Sequence, residues 1–154
     1  TLGALAVSAD FRKAVYTMIQ KFLPIEMQLT YQVDGEPLEQ LPNGYSDHYV
    51  PDGFERDYEQ GYDDAQAFLH VYTDIMTNDF YTVSCAIVQN QNQKELFDNE
   101  HTKYRKVKMG DVEALLGEDK NTGYYLVWED EGITHTIIGR ISIRELMLVA
   151  QKIY

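Results

Sequence analysis

Between Ile25 and Val33 the chain alternates: Ile25, Met27, Leu29, Tyr31 and Val33 are apolar or aromatic, while Glu26, Gln28, Thr30 and Gln32 are polar. A period of two puts all the apolar side chains on one face of an extended backbone, so a half-buried strand is predicted, closed by the turn pair Asp34-Gly35. The preceding stretch has a different period. Phe11, Ala14, Val15, Met18, Ile19 and Phe22 fall at helical spacing, with Arg12, Lys13, Thr17, Gln20 and Lys21 on the other face. That pattern predicts an amphipathic helix from Phe11 to Phe22, stopped by Pro24.

The middle of the chain reads as a meander. Residues 36 to 47 are loop-like around Pro37, Pro42 and Asn43-Gly44, and Tyr49 to Phe54 is a short extended entry before a strand from about Phe54 to Glu59. Ala65 to Tyr72 and Phe80 to Val88 flank the turn cluster Thr77-Asn78-Asp79 and should pair as an antiparallel hairpin. Gln89 to Gln93 ends that hairpin. Lys103 to Lys108 predicts a further strand, Met109-Gly110-Asp111 a turn, and Val112, Ala114 and Leu116 the alternation of the next. Past the polar loop Glu118 to Thr122, Tyr124 to Trp128 and Ile133 to Ile138 flank an acidic turn ending in Gly132. The length of the turn around Glu131 sets the register, with Thr134 or His135 expected opposite Val127. Ser142 and Glu145 then form a capping box, opening a helix whose apolar stripe is Ile143, Leu146, Met147, Ala150 and Ile153. The expected fold is α+β: one domain over residues 1–154, a curved antiparallel sheet of about six or seven strands with N-terminal and C-terminal helices packed on one face.

Composition narrows the partners. A net charge of -12 over 154 residues repels phosphate backbones and anionic lipid, so nucleic acid is not an expected partner. The single Cys85 excludes an internal disulfide and a multi-cysteine metal site. Residues 1–9 are small and apolar and too short to span a bilayer; they read either as the remnant of a membrane or signal segment or as an ordinary helix start.

Reaction chemistry finds little purchase. His48, His70, His101 and His135 have no ligand spacing, and the local cluster Asp98-Asn99-Glu100-His101 reads as a solvated loop before a strand. His70 and His135 fall in strands, where an isolated histidine is commonly a core or cross-strand residue. Cys85 is in phase with Tyr81, Val83 and Ile87 and reads as a small buried hydrophobe. No Gly-x-Ser-x-Gly elbow is present. Between Asp47 and Asp79 nine carboxylates face one arginine, Arg56, yet the spacing is not that of a calcium loop. Twelve tyrosines offer a second kind of surface. Tyr45, Tyr49, Tyr58 and Tyr62 are the candidates for recognition, since tyrosine combines a large apolar body with a polar tip; the competing reading makes them sheet residues.

Several ordered signals resemble a bacterial family, domain of unknown function 4367. They are Tyr49-Val50-Pro51-Asp52-Gly53-Phe54, the hairpin ending in Tyr81-Thr82-Val83, Asp98-Asn99-Glu100, Lys106-Val107-Lys108-Met109-Gly110, Leu126-Val127-Trp128-Glu129 with Gly132, and the closing helix Ile143 to Ile153. The resemblance covers roughly residues 45–154. It implies an extracytoplasmic domain of a bacterial membrane-anchored protein, in some cases similar to anti-sigma factors. The expected function is therefore non-catalytic sensing or interaction, with no catalytic residue, cofactor or metal. The expected partner is an unknown protein or envelope ligand, and the membrane is expected only through a tether outside this chain. The alternative is a secreted hydrolase, or a calcium-dependent binding module using the acidic 47–79 segment.

Overall fold

A computed structural model describes residues 16–22, 26–33, 38–88, 92–98 and 103–154, with side chains described in 38–88 and 103–154. Among the described residues there are two antiparallel sheets. The smaller joins β1 (Tyr16–Phe22), β2 (Glu26–Val33) and β7 (Asn92–Asp98) in the order β1-β2-β7. The larger has eight strands, β3 (Phe54–Arg56), β4 (Tyr62–Asp63), β5 (Ala67–Asp74), β6 (Phe80–Ile87), β8 (Lys103–Met109), β9 (Val112–Asp119), β10 (Gly123–Asp130) and β11 (Ile133–Gly139). Its order is β3-β5-β6-β11-β10-β9-β8, with β4 also pairing β5. Among the described residues the sheet is open, bounded by β8 at one edge and by β3 and β4 at the other.

The predicted N-terminal helix needs correction. The helix expected from Phe11 to Phe22 does not continue through its second half, because Tyr16–Phe22 is β1, paired from Tyr16 opposite Val33 to Phe22 opposite Met27. Phe11 to Val15 lies outside the described residues. Tyr16, Thr17, Ile19 and Phe22 are also good strand formers, and a ladder to the already extended β2 satisfies backbone groups in a way that a local period cannot register. Among the described residues the one helix is α1 (Ile143–Gln151). Strand β7 was also unforeseen: Asn92-Gln93-Lys94-Glu95-Leu96-Phe97-Asp98 has weak strand propensity, and its partner β2 makes it a strand.

Helix α1 begins where the capping box places it, with the Ser142 hydroxyl accepting the Glu145 N–H. Leu146, Val149 and Ala150 bury its apolar stripe on the large sheet. The rows of side chains beneath it follow the strand register. Phe68, Cys85, His135 and Trp128 line up across β5, β6, β11 and β10; His70, Val83, Ile137 and Leu126 form the next row; Tyr72 and Tyr81 continue the third. The opposite face is also covered in places, since Leu115 and Val127 point away from that core yet are 1% and 0% exposed, and β1 runs close to β10. Burial on both faces explains why Ala114-Leu115-Leu116 and Leu126-Val127-Trp128 are continuous apolar runs rather than alternations.

The β10–β11 hairpin settles its own register. Glu131 (φ 50) and Gly132 (φ 85) are both left-handed, the backbone of a two-residue I′ turn, so Asp130 pairs with Ile133 and Trp128 with His135. Val127 therefore faces Thr136, and neither Thr134 nor His135 as expected.

Candidate functional site: a strap, two buried histidines and a tyrosine ledge

Residues 45–49 cross the core as an extended strap. Its outer side pairs with the chain's last residues: Ser46 and Tyr154 exchange two backbone hydrogen bonds at 3.0 and 3.1 Å, and the His48 N–H donates to the Lys152 carbonyl at 2.8 Å. Its inner side follows the period of two. Tyr45, Asp47 and Tyr49 all turn inward, each to a different element. The Tyr45 hydroxyl shares a 2.5 Å hydrogen bond with His135 Nε2 on β11, and the Tyr49 hydroxyl donates to Glu145 Oε2 of α1 at 2.7 Å. Asp47 receives the Tyr72 hydroxyl on one oxygen and His70 Nδ1–H on the other, the latter at 2.6 Å.

His70 is the hub of a charged group. Its second nitrogen, Nε2, donates at 2.6 Å to Asp63 Oδ1 on β4, and Asp63 Oδ2 accepts from Arg56 Nη2 at 2.9 Å. Both ring nitrogens therefore face carboxylates, which only an imidazolium can satisfy as a double donor. Burial pushes the His70 pKa down, but the hydrogen bonds to Asp47 and Asp63 outweigh it and hold the pKa above its ordinary value. For Asp47, burial pushes upward and the hydrogen bonds from His70 and Tyr72 prevail, keeping the carboxyl below its usual range. Asp63 is lowered by its His70 hydrogen bond, with Arg56 adding to it.

His135 has a contrary environment. It is 2% exposed and stacks flat on Trp128, the rings 4.6 Å apart, and its Nδ1 is enclosed without a well-aligned partner. Burial pulls its pKa down to about 3, so the ring is neutral. The same burial raises the Tyr45 hydroxyl and the Cys85 thiol, which sits opposite His135 on β6 and stays protonated. A groove of about 360 Å³ opens beside Tyr45, Trp128 and His135.

Arg56 and β4 carry a ledge at the sheet edge. Tyr58 is 81% and Tyr62 51% exposed, and the Arg56 guanidinium lies 4.6 Å above the Tyr58 ring. The loop between them is tightly held. Asp57 accepts the Glu59 N–H at 3.0 Å and the Gln60 side chain at 2.7 Å, Asp64 accepts the Gln66 and Ala67 N–H groups at 2.8 Å, and Asp63 is fixed by His70 and Arg56. Gly61 (φ 86) passes so near β5 that a Cβ there would lie 2.1 Å from the Leu69 carbonyl oxygen.

Of the four tyrosines singled out in the sequence, Tyr45 and Tyr49 thus anchor the strap, whereas Tyr58 and Tyr62 face solvent. The acidic stretch is largely occupied within the fold, with Asp47 and Asp63 on His70 and Asp57, Asp64 and Asp74 capping turns. Among the described residues no group of three His, Cys, Asp or Glu is arranged to hold a metal ion. Asp98 ends β7, and Asn99, Glu100 and His101 lie outside the described residues. The His70 group was missed in the sequence because its members come from the strap, β3, β4 and β5. The one available signal was the alternation Tyr45-x-Asp47-x-Tyr49.

The strap, the ledge, the hairpin and α1 all fall inside one match. The sequence model described as Domain of unknown function (DUF4367) covers residues 44–153. This chain belongs to that family. No curated protein and no solved structure matches it. The DUF4367 region starts just before the strap and ends one residue short of Tyr154, so the pairing of strap with C-terminus closes the family unit on itself.

Proposed function

We propose that this DUF4367 domain is a non-catalytic sensor or interaction module of the bacterial cell envelope. In this reading it stands outside the membrane, tethered through a segment beyond this chain, and serves an anti-sigma-like or related signalling protein. The ledge carries the reading: two exposed tyrosines and an arginine, held rigid by the charged group beneath them and rimmed by Glu55, Asp57, Glu59 and Asp64. Exposed aromatics on a pre-ordered loop bind at low entropic cost, and tyrosine and arginine are the residues on which interface energy concentrates. The strongly acidic rim favours a partner with a basic face.

Tyr58→Ala with Tyr62→Ala tests it. Thermal stability should change by no more than ~0.5 kcal/mol, since both rings are exposed, while capture of the envelope partner by chemical cross-linking should fall about tenfold or more. Capture equal to that of the parent chain would remove the ledge from the function. The gene upstream of Thr1 tests the tether: a run of roughly twenty apolar residues supports it, and an immediate start codon rejects it.

A further inference from the structure

The two edges of the open sheet differ in charge. The ledge edge is acidic, but the far edge, β8, carries Lys103, Arg105, Lys106 and Lys108, four of the chain's 13 basic residues within seven positions. All four are exposed. They also lie on both faces of the strand: Lys103 and Arg105 sit on the side of Val107 and Met109, which pack against the core, and Lys106 and Lys108 on the other. Only Lys106 has a close carboxylate among the described residues, Glu113 at 3.3 Å. Strand β8 pairs with β9 on its inner side and, among the described residues, ends the strand order of the sheet. At its Lys103 end a groove of about 460 Å³, lined by Lys103, Glu118, Asp119, Lys120 and Asn121, extends the surface.

We propose that β8 is a docking edge for an extended acidic peptide segment, which adds to the sheet as a ninth strand. An open edge offers a row of backbone donors and acceptors at strand spacing, and main-chain pairing to it supplies affinity without any particular side chain. The charges supply the selection. Cations on both faces of β8 match carboxylates on both faces of the added strand, and each opposed cross-strand pair contributes while like charges repel. In a chain of net charge -12 this is a local reversal, so an acidic segment avoided by the rest of the surface is drawn to this edge. The site is separate from the tyrosine ledge, at the opposite border of the sheet. Charged edges also guard sheets against edge-to-edge aggregation, and a purely protective role predicts that no peptide binds.

The test titrates the 154-residue chain, followed by backbone amide NMR, with a synthetic eight-residue peptide in which the unit Glu-Glu-Val-Val occurs twice, so that an added strand carries carboxylates on both faces. The proposal expects shifts and slowed hydrogen exchange centred on Lys103–Met109, weakened by salt and absent with the lysine-valine counterpart. Arg105→Glu with Lys108→Glu, one change on each face, should weaken binding by about tenfold or more. Should that variant fold poorly, Arg105→Gln with Lys108→Gln serves the same purpose with a smaller loss. A peptide N-methylated on alternate amides separates strand addition from simple attraction: it should not bind. No perturbation of β8 at millimolar peptide, equal binding of the lysine peptide, or equal binding of the N-methylated peptide would each overturn the proposal.

Discussion

His70 and His135 are both 2% exposed, both on the helix-facing side of the large sheet, and both hydrogen-bonded by strap residues only two positions apart. They nonetheless differ in charge, His70 being protonated and His135 neutral. His70 meets Asp47 and, beyond it, Asp63, and its proton is retained; His135 meets a phenol and an indole face, and its proton is expelled. Burial acts in the same direction on the two rings. The partners decide the outcome, because a desolvated imidazolium persists only where carboxylates replace the lost water. The strap is therefore fastened electrostatically at its middle, Asp47, and by aromatic packing at its Tyr45 end.

The largest effect should come from breaking the aromatic end. Trp128→Ala removes the ring stacked on His135 and opens a cavity in the core, and about 3–5 kcal/mol of stability should be lost in chemical denaturation. The charged middle should respond nearly as strongly. Asp47→Asn keeps the shape but takes away the buried countercharge of His70, at a cost of about 3 kcal/mol by the same measurement. If Asp47→Asn were neutral, the imidazolium would not be the fastening.

Dependence on pH separates the two fastenings. The His70 pKa is raised on folding, so its contribution is complete below the unfolded value of about 6.5 and lost as pH rises through the folded value. His135 is lowered to about 3, so the unfolded chain takes up a proton that the folded chain refuses, and stability is lost as pH falls from about 6.5 towards that value. Glu129, raised by burial to about 7, acts against His135 over part of that range, so differences between variant and parent are the informative quantity. The penalty of His70→Gln should be constant below about pH 6.5 and shrink above it, whereas His135→Phe should gain on the parent steadily as pH falls below about 6.5. Parallel stability profiles for variant and parent would contradict the assigned charge states.

The smallest expected effect lies in the turn that puts His135 opposite Trp128. Glu131 occupies a left-handed conformation for which asparagine is better suited, so Glu131→Asn should raise stability by about 0.5 kcal/mol in thermal unfolding with the register unchanged.

Much of the large sheet was legible in the sequence. The hairpin of β5 and β6, strands β8 and β9, the closing hairpin and the Ser142 cap all follow from local periods and turn residues, whose physics acts over a few positions. The register of the closing hairpin was missed locally, through the length of its turn, and the larger errors fell where distant partners decide. Tyr16–Phe22 satisfies both a helical and an extended pattern, and its pairing with β2 selects the latter; β7 is polar enough to read as loop and is a strand through the same partner. The eight-stranded sheet with its single described helix is thus larger and less helical than expected.

The sequence alone determined most of the extended segments of the large sheet, where α1 begins, that Cys85 faces inward, and that the chain belongs among DUF4367 domains. Tertiary structure decided which tyrosines are anchors and which are exposed, and which of two similar strand histidines is charged. Its reason is physical: protonation depends on the groups that replace water around a buried ring, and for His70 and His135 these include strap residues 23 and 90 positions away in the chain.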